Sequence, residues 1–471
     1  MKNEQPKTRS SFTGSIGFVL AAAGSAVGLG NIWRFPYIAA KDGGGLFVLC
    51  YLILLLTFGF ALLLSEVAIG RKTRKGPLDA YREIHPKFGF LGWLATIVPL
   101  IIFPYYCVIG GWVTKYGAEY ITGARNINAE NAGDFFSGFI TAPWAPIVFF
   151  LIFIGVTALV VFLGVEKGIE KVSKVLMPAL LVLIIGIAVF ALTLSHEDNG
   201  TVRTAWQGLK ILLIPDFSAI QSFGDVISII MDAAAQLFYS VSIAMGIMVA
   251  YGSYMPKESN VVKSVGQIEL FDTAVAILAG IIIIPSVFVF QGAEGLSASG
   301  PSLMFISLPK VFDQMGVIGI IVGALFFLLV FFAALTSSIS LMEAIVASIM
   351  DRFKLNRKKA SLIALVLSLI LGLIVCLGYN ALYFEYTLPN GAVAQILDIF
   401  DYISNNLMMP IVALLTSILI GWVVKTKVVL DEVQNGLTGK FYRKGLYNVV
   451  LRYVCPVILV VILLQAFGLF K

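Results

Sequence analysis

Apolar residues run in long blocks along this chain, and charged residues are held to the gaps between them. Eleven blocks reach the roughly 20 residues that a helix needs to cross about 30 Å of hydrocarbon. They cover approximately 14–38, 46–70, 90–120, 146–164, 172–194, 226–255, 264–291, 317–349, 360–379, 400–424 and 446–470. The pattern predicts an all-α polytopic membrane protein, a single transmembrane domain over 1–471. The gaps are unequal. Segments 195–225 and 292–316 carry Gly, Pro, Ser and short apolar pieces, which suit short helices over an outer vestibule.

Two blocks are interrupted in a particular way. The first contains GSAVGLGNIWRFP, from Gly24 to Pro36. Glycine destabilises a helix by about 1 kcal/mol per position relative to Ala. Broken backbone is tolerated at membrane depth only inside protein or beside a water-filled cavity. Small residues also serve close helix packing, but Asn31 and Arg34 in the same stretch point to function, because an intramembrane Arg marks a pathway. The sixth block reads QLFYSVSIAMG from Gln236 to Gly246, with Ser240, Ser242, Ala244 and Gly246 as a second weak point. Two broken helices five spans apart suit inverted five-helix repeats, 14–194 and 226–424, with 446–470 as an additional span. Helix N-termini at such breaks favour an anionic group and unwound carbonyls a cation. The eighth block adds Thr336 and Ser337 in FFAALTSS. Such hydroxyls ordinarily bond their own helix, but a hard cation nearby would call on them as oxygen ligands.

Composition narrows the class. The chain is 59% hydrophobic and 13% charged, more apolar surface than a soluble fold of 471 residues can bury. Its net charge of +6 comes from short loops and gives no nucleic-acid signature. With an inside N-terminus, basic clusters at Lys2–Arg9, Arg71–Lys87, Lys167–Lys174, Lys257–Lys263, Arg352–Lys359 and Lys425–Lys444 all fall on one side. The positive-inside rule then places the N-terminus in the cytoplasm and the C-terminus outside. No cleavable signal peptide is expected, since ten polar residues lead straight into the first span. Cys50, Cys107, Cys376 and Cys455 lie in apolar runs without metal spacing. His85 and His196 lie outside the spans and no nucleophile motif is present, so an enzyme is not expected. A channel would more often show repeated filter segments, and a membrane amino acid sensor a soluble signalling domain.

GSAVGLGNIWRFP, the glycines at 43–45, SEVAIGR at 65–71, the Tyr105–Tyr106 pair, QLFYSVS and FFAALTSS together resemble the neurotransmitter:sodium symporter family, in its shorter bacterial, eleven-span form. The resemblance implies a sodium-coupled transporter in the cytoplasmic membrane, with an amino acid, sodium and the lipid bilayer as partners. It implies two sodium sites. The first would use the Ala26 carbonyl, the Asn31 amide oxygen, the Ser240 hydroxyl, Asp272 and the substrate carboxylate. The second would use carbonyls of Gly24, Val27 and Ala333 with the hydroxyls of Thr336 and Ser337.

The same resemblance places the substrate carboxylate on the N–H groups of Leu29 and Gly30 and the Tyr106 hydroxyl, with the amino group near Ala26, Tyr239 and Ser242. Ile102, Tyr106, Tyr239, Met245, Ser337 and Leu341 would line the side-chain pocket. It holds no charge, so neutral, hydrophobic amino acids are expected, large aromatic ones included. Arg34 with Asp401 would form an outer gate and Arg9 with Asp351 an inner one. Asp272 or Glu66 would supply a fixed negative charge in place of chloride, or carry a proton on the return step. A proton-driven or exchange-type transporter of related fold is the alternative. Asp232 and Glu343 are intramembrane acids to which the sequence assigns no role.

Overall fold

The computed structural model describes residues 11–123, 126–198, 200–298, 300–437 and 439–469. Among them, nine helices are long and apolar enough to cross a membrane. They are Gly45–Thr73, Pro86–Ile121, Ala145–Leu163, Val165–Ala191, Val261–Gly295, Val317–Phe353, Arg357–Leu377, Ile396–Val423 and Lys444–Ala466. The pair Ser15–Ala26 and Gly30–Lys41, bent by 51°, is a tenth crossing. Helices Phe223–Ser240 and Ile247–Tyr254 occupy the remaining position expected from the sequence, with residues 241–246 between them. The fold is an all-α polytopic membrane protein.

The outward faces of these helices carry apolar side chains. Leu159, Val182, Val189, Leu270 and Val457 are each more than 60% exposed, which suits a hydrocarbon solvent. The third and eighth spans share the most extensive contact and form the centre of the bundle. The first span packs on the fifth, seventh and eighth. Both breaks are thereby enclosed in protein, as a water-free surrounding demands.

The outer segments depart in part from expectation. Segment 292–316 is helical, through Gly300–Ser302, Leu303–Ser307 and Leu308–Gln314. Segment 195–225 opens instead with a hairpin, Ser195–Asp198 against Thr201–Thr204, before helix Ala205–Leu213. Gly200, at φ 78°, supplies the left-handed residue that a tight hairpin connection needs.

At the basic face, Arg71 is 1% exposed and ties the second span to helix Lys427–Gln434. Its guanidinium donates to Glu432 Oε1 at 2.6 Å and to the carbonyls of Ser259 at 2.6 Å and Asn435 at 2.9 Å. At the opposite face, Lys41 Nζ bridges Asp232 Oδ2 at 2.8 Å and Asp42 Oδ1 at 3.6 Å, joining the ends of the two broken spans. Asp232 thus has a partner that its sequence context did not reveal. Burial and then the nearby Asp232 push the Asp42 carboxyl up to about 7, against the pull of Lys41.

Two outcomes are expected. Arg71→Ala leaves Glu432 with an uncompensated charge and should cost about 3–5 kcal/mol, read as a lowered thermal midpoint in detergent; an unchanged midpoint would remove Arg71 from the fold's supports. Asp42 holds a proton in the folded protein that the unfolded chain, titrating near 3.8, releases. Its contribution to stability is therefore largest in acid and falls as pH rises from about 4 to about 7. Asp42→Asn should flatten the midpoint across that window, and a parallel pH profile in the variant would contradict this assignment.

Candidate functional site

The first helix ends where Val27 turns extended, at φ −79° and ψ 94°. The sixth span ends its first half with Ser242, Ala244 and Gly246 at φ 56°, 64° and 69°. For Ser242 and Ala244 this left-handed backbone costs about 1–2 kcal/mol each, so something must hold it. Ser242 Oγ donates to the Ser25 carbonyl at 3.0 Å, and Ala244 N–H donates to Glu66 Oε1 at 2.8 Å. The two breaks therefore face and brace each other. Gly30 permits the approach, since a Cβ there would lie 2.3 Å from the Tyr239 ring.

Beside the breaks sits a fully buried acid. Asp272 Oδ1 accepts from Ser240 Oγ at 2.5 Å and from Asn31 Nδ2 at 2.8 Å, and Oδ2 accepts from the Tyr51 hydroxyl. Asn31 Nδ2 also reaches Ser240 Oγ at 2.9 Å. Asn31, Tyr51, Ser240 and Asp272 come from four different spans, and each is at most 1% exposed. All of the hydrogen-bond donors to this carboxylate are neutral. A buried charge without a counter-charge is costly, and carboxylate, hydroxyl and amide oxygens are what a hard monovalent cation binds. The donor set fits sodium.

Of the residues expected at the first sodium site, Asn31, Ser240 and Asp272 are bonded to one another. The Asn31 amide presents its nitrogen to Asp272, while its oxygen accepts from Gly28 N–H at 3.0 Å, because the freed backbone donor claims it. Ala26 lines the neighbouring pocket. Tyr51 was missed altogether; its only sequence signal is a lone hydroxyl in GLFVLCYLIL.

A second oxygen cluster lies between the first and eighth spans. Ser337 Oγ is 3.1 Å from the Ser25 carbonyl and 3.4 Å from those of Gly24 and Val27. One hydroxyl carries one hydrogen, so three carbonyls crowd a single donor and a cation would satisfy them better. Thr336 Oγ1 bonds its own helix at Phe332 and Ala333, at 3.0 and 3.1 Å.

A cavity of about 20 Å³ adjoins both clusters. All ten residues expected to contact substrate line it: Ala26, Leu29, Gly30, Ile102, Tyr106, Tyr239, Ser242, Met245, Ser337 and Leu341. Ser25, Gly28, Asn31 and Ile247 line it as well and were not anticipated as wall. The Tyr106 hydroxyl accepts from Leu29 N–H at 3.3 Å.

The gate expectations fare differently. Arg34 and Asp401 form no ion pair among the described residues. Arg34 lies over the Tyr239 ring, 5.9 Å from its centroid, beside an outer chamber of about 280 Å³. Asp401 Oδ1 accepts from Asn405 Nδ2 at 2.5 Å and from the Tyr105 hydroxyl at 3.1 Å. Asp351 accepts from Gly76 N–H at 2.5 Å, and Arg9 lies outside the described residues. Glu66 braces the sixth-span break and is not bonded to the Asp272 group. Glu343 pairs with Arg357 through two bonds of 2.6 and 2.8 Å and accepts from Tyr254 at 2.7 Å.

The sodium:neurotransmitter symporter family model matches residues 9–127 and 142–471. The uncharacterized sodium-dependent transporter YhdH of Bacillus subtilis is 36% identical over 463 residues, 96% of this chain and 97% of that protein. The sodium- and chloride-dependent GABA transporter 2 of Homo sapiens is 25% identical over 92% of this chain and 76% of its own length. The crystal structure of MhsT in complex with L-phenylalanine superimposes with a TM-score of 0.85 at 35% identity, covering 98% of this chain and 100% of that one. The chain belongs to the sodium:neurotransmitter symporter family. It is a sodium-dependent membrane transporter and not an enzyme.

Asp272→Asn keeps the side chain's size and one acceptor oxygen while removing its charge. Sodium titration of substrate binding should show half-saturation raised at least about tenfold, equivalent to 1.4 kcal/mol, with binding recovered at high sodium. An unshifted titration would take Asp272 out of the cation site.

Proposed function

We propose that this symporter imports neutral, hydrophobic amino acids, aromatic ones included, with two sodium ions and without chloride. The observation that carries the reading is the pocket itself. Its side-chain wall is Ile102, Met245, Ile247 and Leu341, it contains no Lys, Arg, Asp or Glu, and it touches the Asp272 cluster through Asn31. An apolar wall favours an apolar side chain by area, and Met adapts to different shapes. The L-phenylalanine bound in MhsT supports the same class.

The substrate carboxylate would sit on the N–H groups at Leu29 and Gly30 with Tyr106, and would complete the coordination of a cation at Asn31, Ser240 and Asp272. A second cation would bridge the first and eighth spans at Gly24, Val27, Ala333, Thr336 and Ser337. The fixed charge of Asp272 in the first cation site supports chloride independence. Glu66 is committed to the sixth-span backbone, so Asp272 is the better of the two for that role. The two halves 14–194 and 226–424 would act as inverted repeats, opening the pocket alternately to each side. The basic clusters argue for a cytoplasmic N-terminus in a bacterial inner membrane.

Uptake of labelled leucine, tryptophan and alanine into proteoliposomes tests this. Accumulation should require an inward sodium gradient, persist when gluconate replaces chloride, and fall by more than about tenfold in Ser337→Ala. Uptake indifferent to sodium would favour the proton-driven alternative, and collapse in gluconate would refute chloride independence.

A further inference from the structure

The seventh span, Val261–Gly295, carries a second buried acid that the transport scheme leaves unused. Glu269 is 3% exposed and precedes Asp272 by three residues. Positions three apart are neighbours on one side of a helix, so Glu269 lies next to the first cation cluster along the span. One of its oxygens, Oε1, is buried without a hydrogen-bond partner among the described residues. The other has Arg443 Nη1 at 3.5 Å. The Arg443 side chain is 40% exposed, and its guanidinium lies over the Phe60 ring at 4.7 Å from the centroid. Glu269 therefore stands between the Asp272 cluster and a solvent-facing arginine on the basic face of the protein. A buried carboxylate with a bare oxygen is destabilising. An ionisable group at membrane depth is a mark of an ion path.

We propose that Glu269 is a relay site for sodium between the Asp272 cluster and the basic face, reached on the side of the second and seventh spans and apart from the substrate pocket. The proposal rests on the sodium-symport reading with its cytoplasmic basic face. When Arg443 lifts into solvent, its place beside Glu269 is open to a cation. Sodium leaving Asp272 then binds the free oxygen of Glu269, and the site's net charge is the same with sodium as with the guanidinium. Asp272 keeps its Ser240, Tyr51 and Asn31 donors, so its oxygens stay hydrogen-bonded as the ion moves on. Phe60 holds the displaced arginine close, ready to return and release the ion to water.

The test compares the full-length protein with Glu269→Gln, Glu269→Asp and Arg443→Ala, measuring sodium-dependent substrate binding in detergent and initial uptake in proteoliposomes. Glu269→Gln should bind with sodium half-saturation within about twofold of the parent while its maximal uptake falls at least about tenfold, a rate effect without an affinity effect. Glu269→Asp should recover part of the rate. Arg443→Ala should run at or above the parental rate, because it removes only the competing occupant. Three results would overturn the relay: Glu269→Gln transporting within twofold of the parent, Glu269→Gln losing sodium-dependent binding while Glu269→Asp transports at the parental rate, or Arg443→Ala falling as far as Glu269→Gln. The last would make Glu269 an anchor for Arg443. If Glu269→Gln does not fold, Glu269→Asp decides alone: slowed uptake at parental sodium affinity supports the relay, and parental uptake ends it. A parent protein indifferent to sodium would instead sink the symport reading, and this inference with it.

Discussion

No water reaches the middle of a lipid-facing helix, so each backbone group freed by a break must find its partner inside the protein. That constraint accounts for most of the polar residues near the centre of this chain. Gly28 N–H goes to Asn31, Leu29 N–H to Tyr106, the Gly30 carbonyl to Gln236 and Ala244 N–H to Glu66. The Ser25 carbonyl receives Ser242 and Ser337. Each partner comes from the other break or from a packed span, apart from Asn31, which serves its own segment. The two breaks are consequently one structural unit. Moving either half-helix strips hydrogen bonds from both.

The buried acids separate by the same accounting. Glu343 meets Arg357 through two short bonds, so its charge is closed inside the fold. Asp401 has two neutral donors and a nearby aqueous chamber. Glu66 spends one oxygen on a strained backbone. Asp272 differs from Glu343 in kind: it is as deeply buried, yet every group bonded to it is neutral. Its neutral partners, set beside the breaks of the first and sixth spans, are what make it the acid we propose for the first cation site.

The spans, the two breaks and the wall of the pocket were legible in the sequence because each leaves a local signature: a long apolar run, clustered small residues, or a motif carried over position by position. What stayed hidden depends on neighbours distant in the chain. Tyr51 and Ser25 look like ordinary span residues until folding brings Asp272 and Ser242 against them. Glu66 announces its depth but not the Ala244 N–H that occupies it. Arg34 and Asp401 are present as expected, yet among the described residues Asp401 bonds Asn405 and Tyr105 rather than Arg34. The hairpin at Ser195–Thr204 was obscured by a surrounding segment whose composition suited short helices equally well.

Asn31 joins the pocket to the Asp272 cluster. It lines the pocket and also bonds Asp272. In the present arrangement its oxygen is held by Gly28 N–H, and its nitrogen faces the carboxylate. In the proposed scheme, a cation beside Asp272 would repel that nitrogen and attract the oxygen, turning the amide and freeing Gly28 N–H beside the Leu29 and Gly30 donors proposed for the substrate carboxylate. A hydrogen bond to a charged group contributes about 1.5–3 kcal/mol, which is the size of a typical coupling free energy of about 1–3 kcal/mol. Coupling is reciprocal, so a carboxylate that claims Gly28 N–H also frees the amide oxygen for the ion. One side chain whose two ends serve different partners would be enough to couple the two proposed ligands.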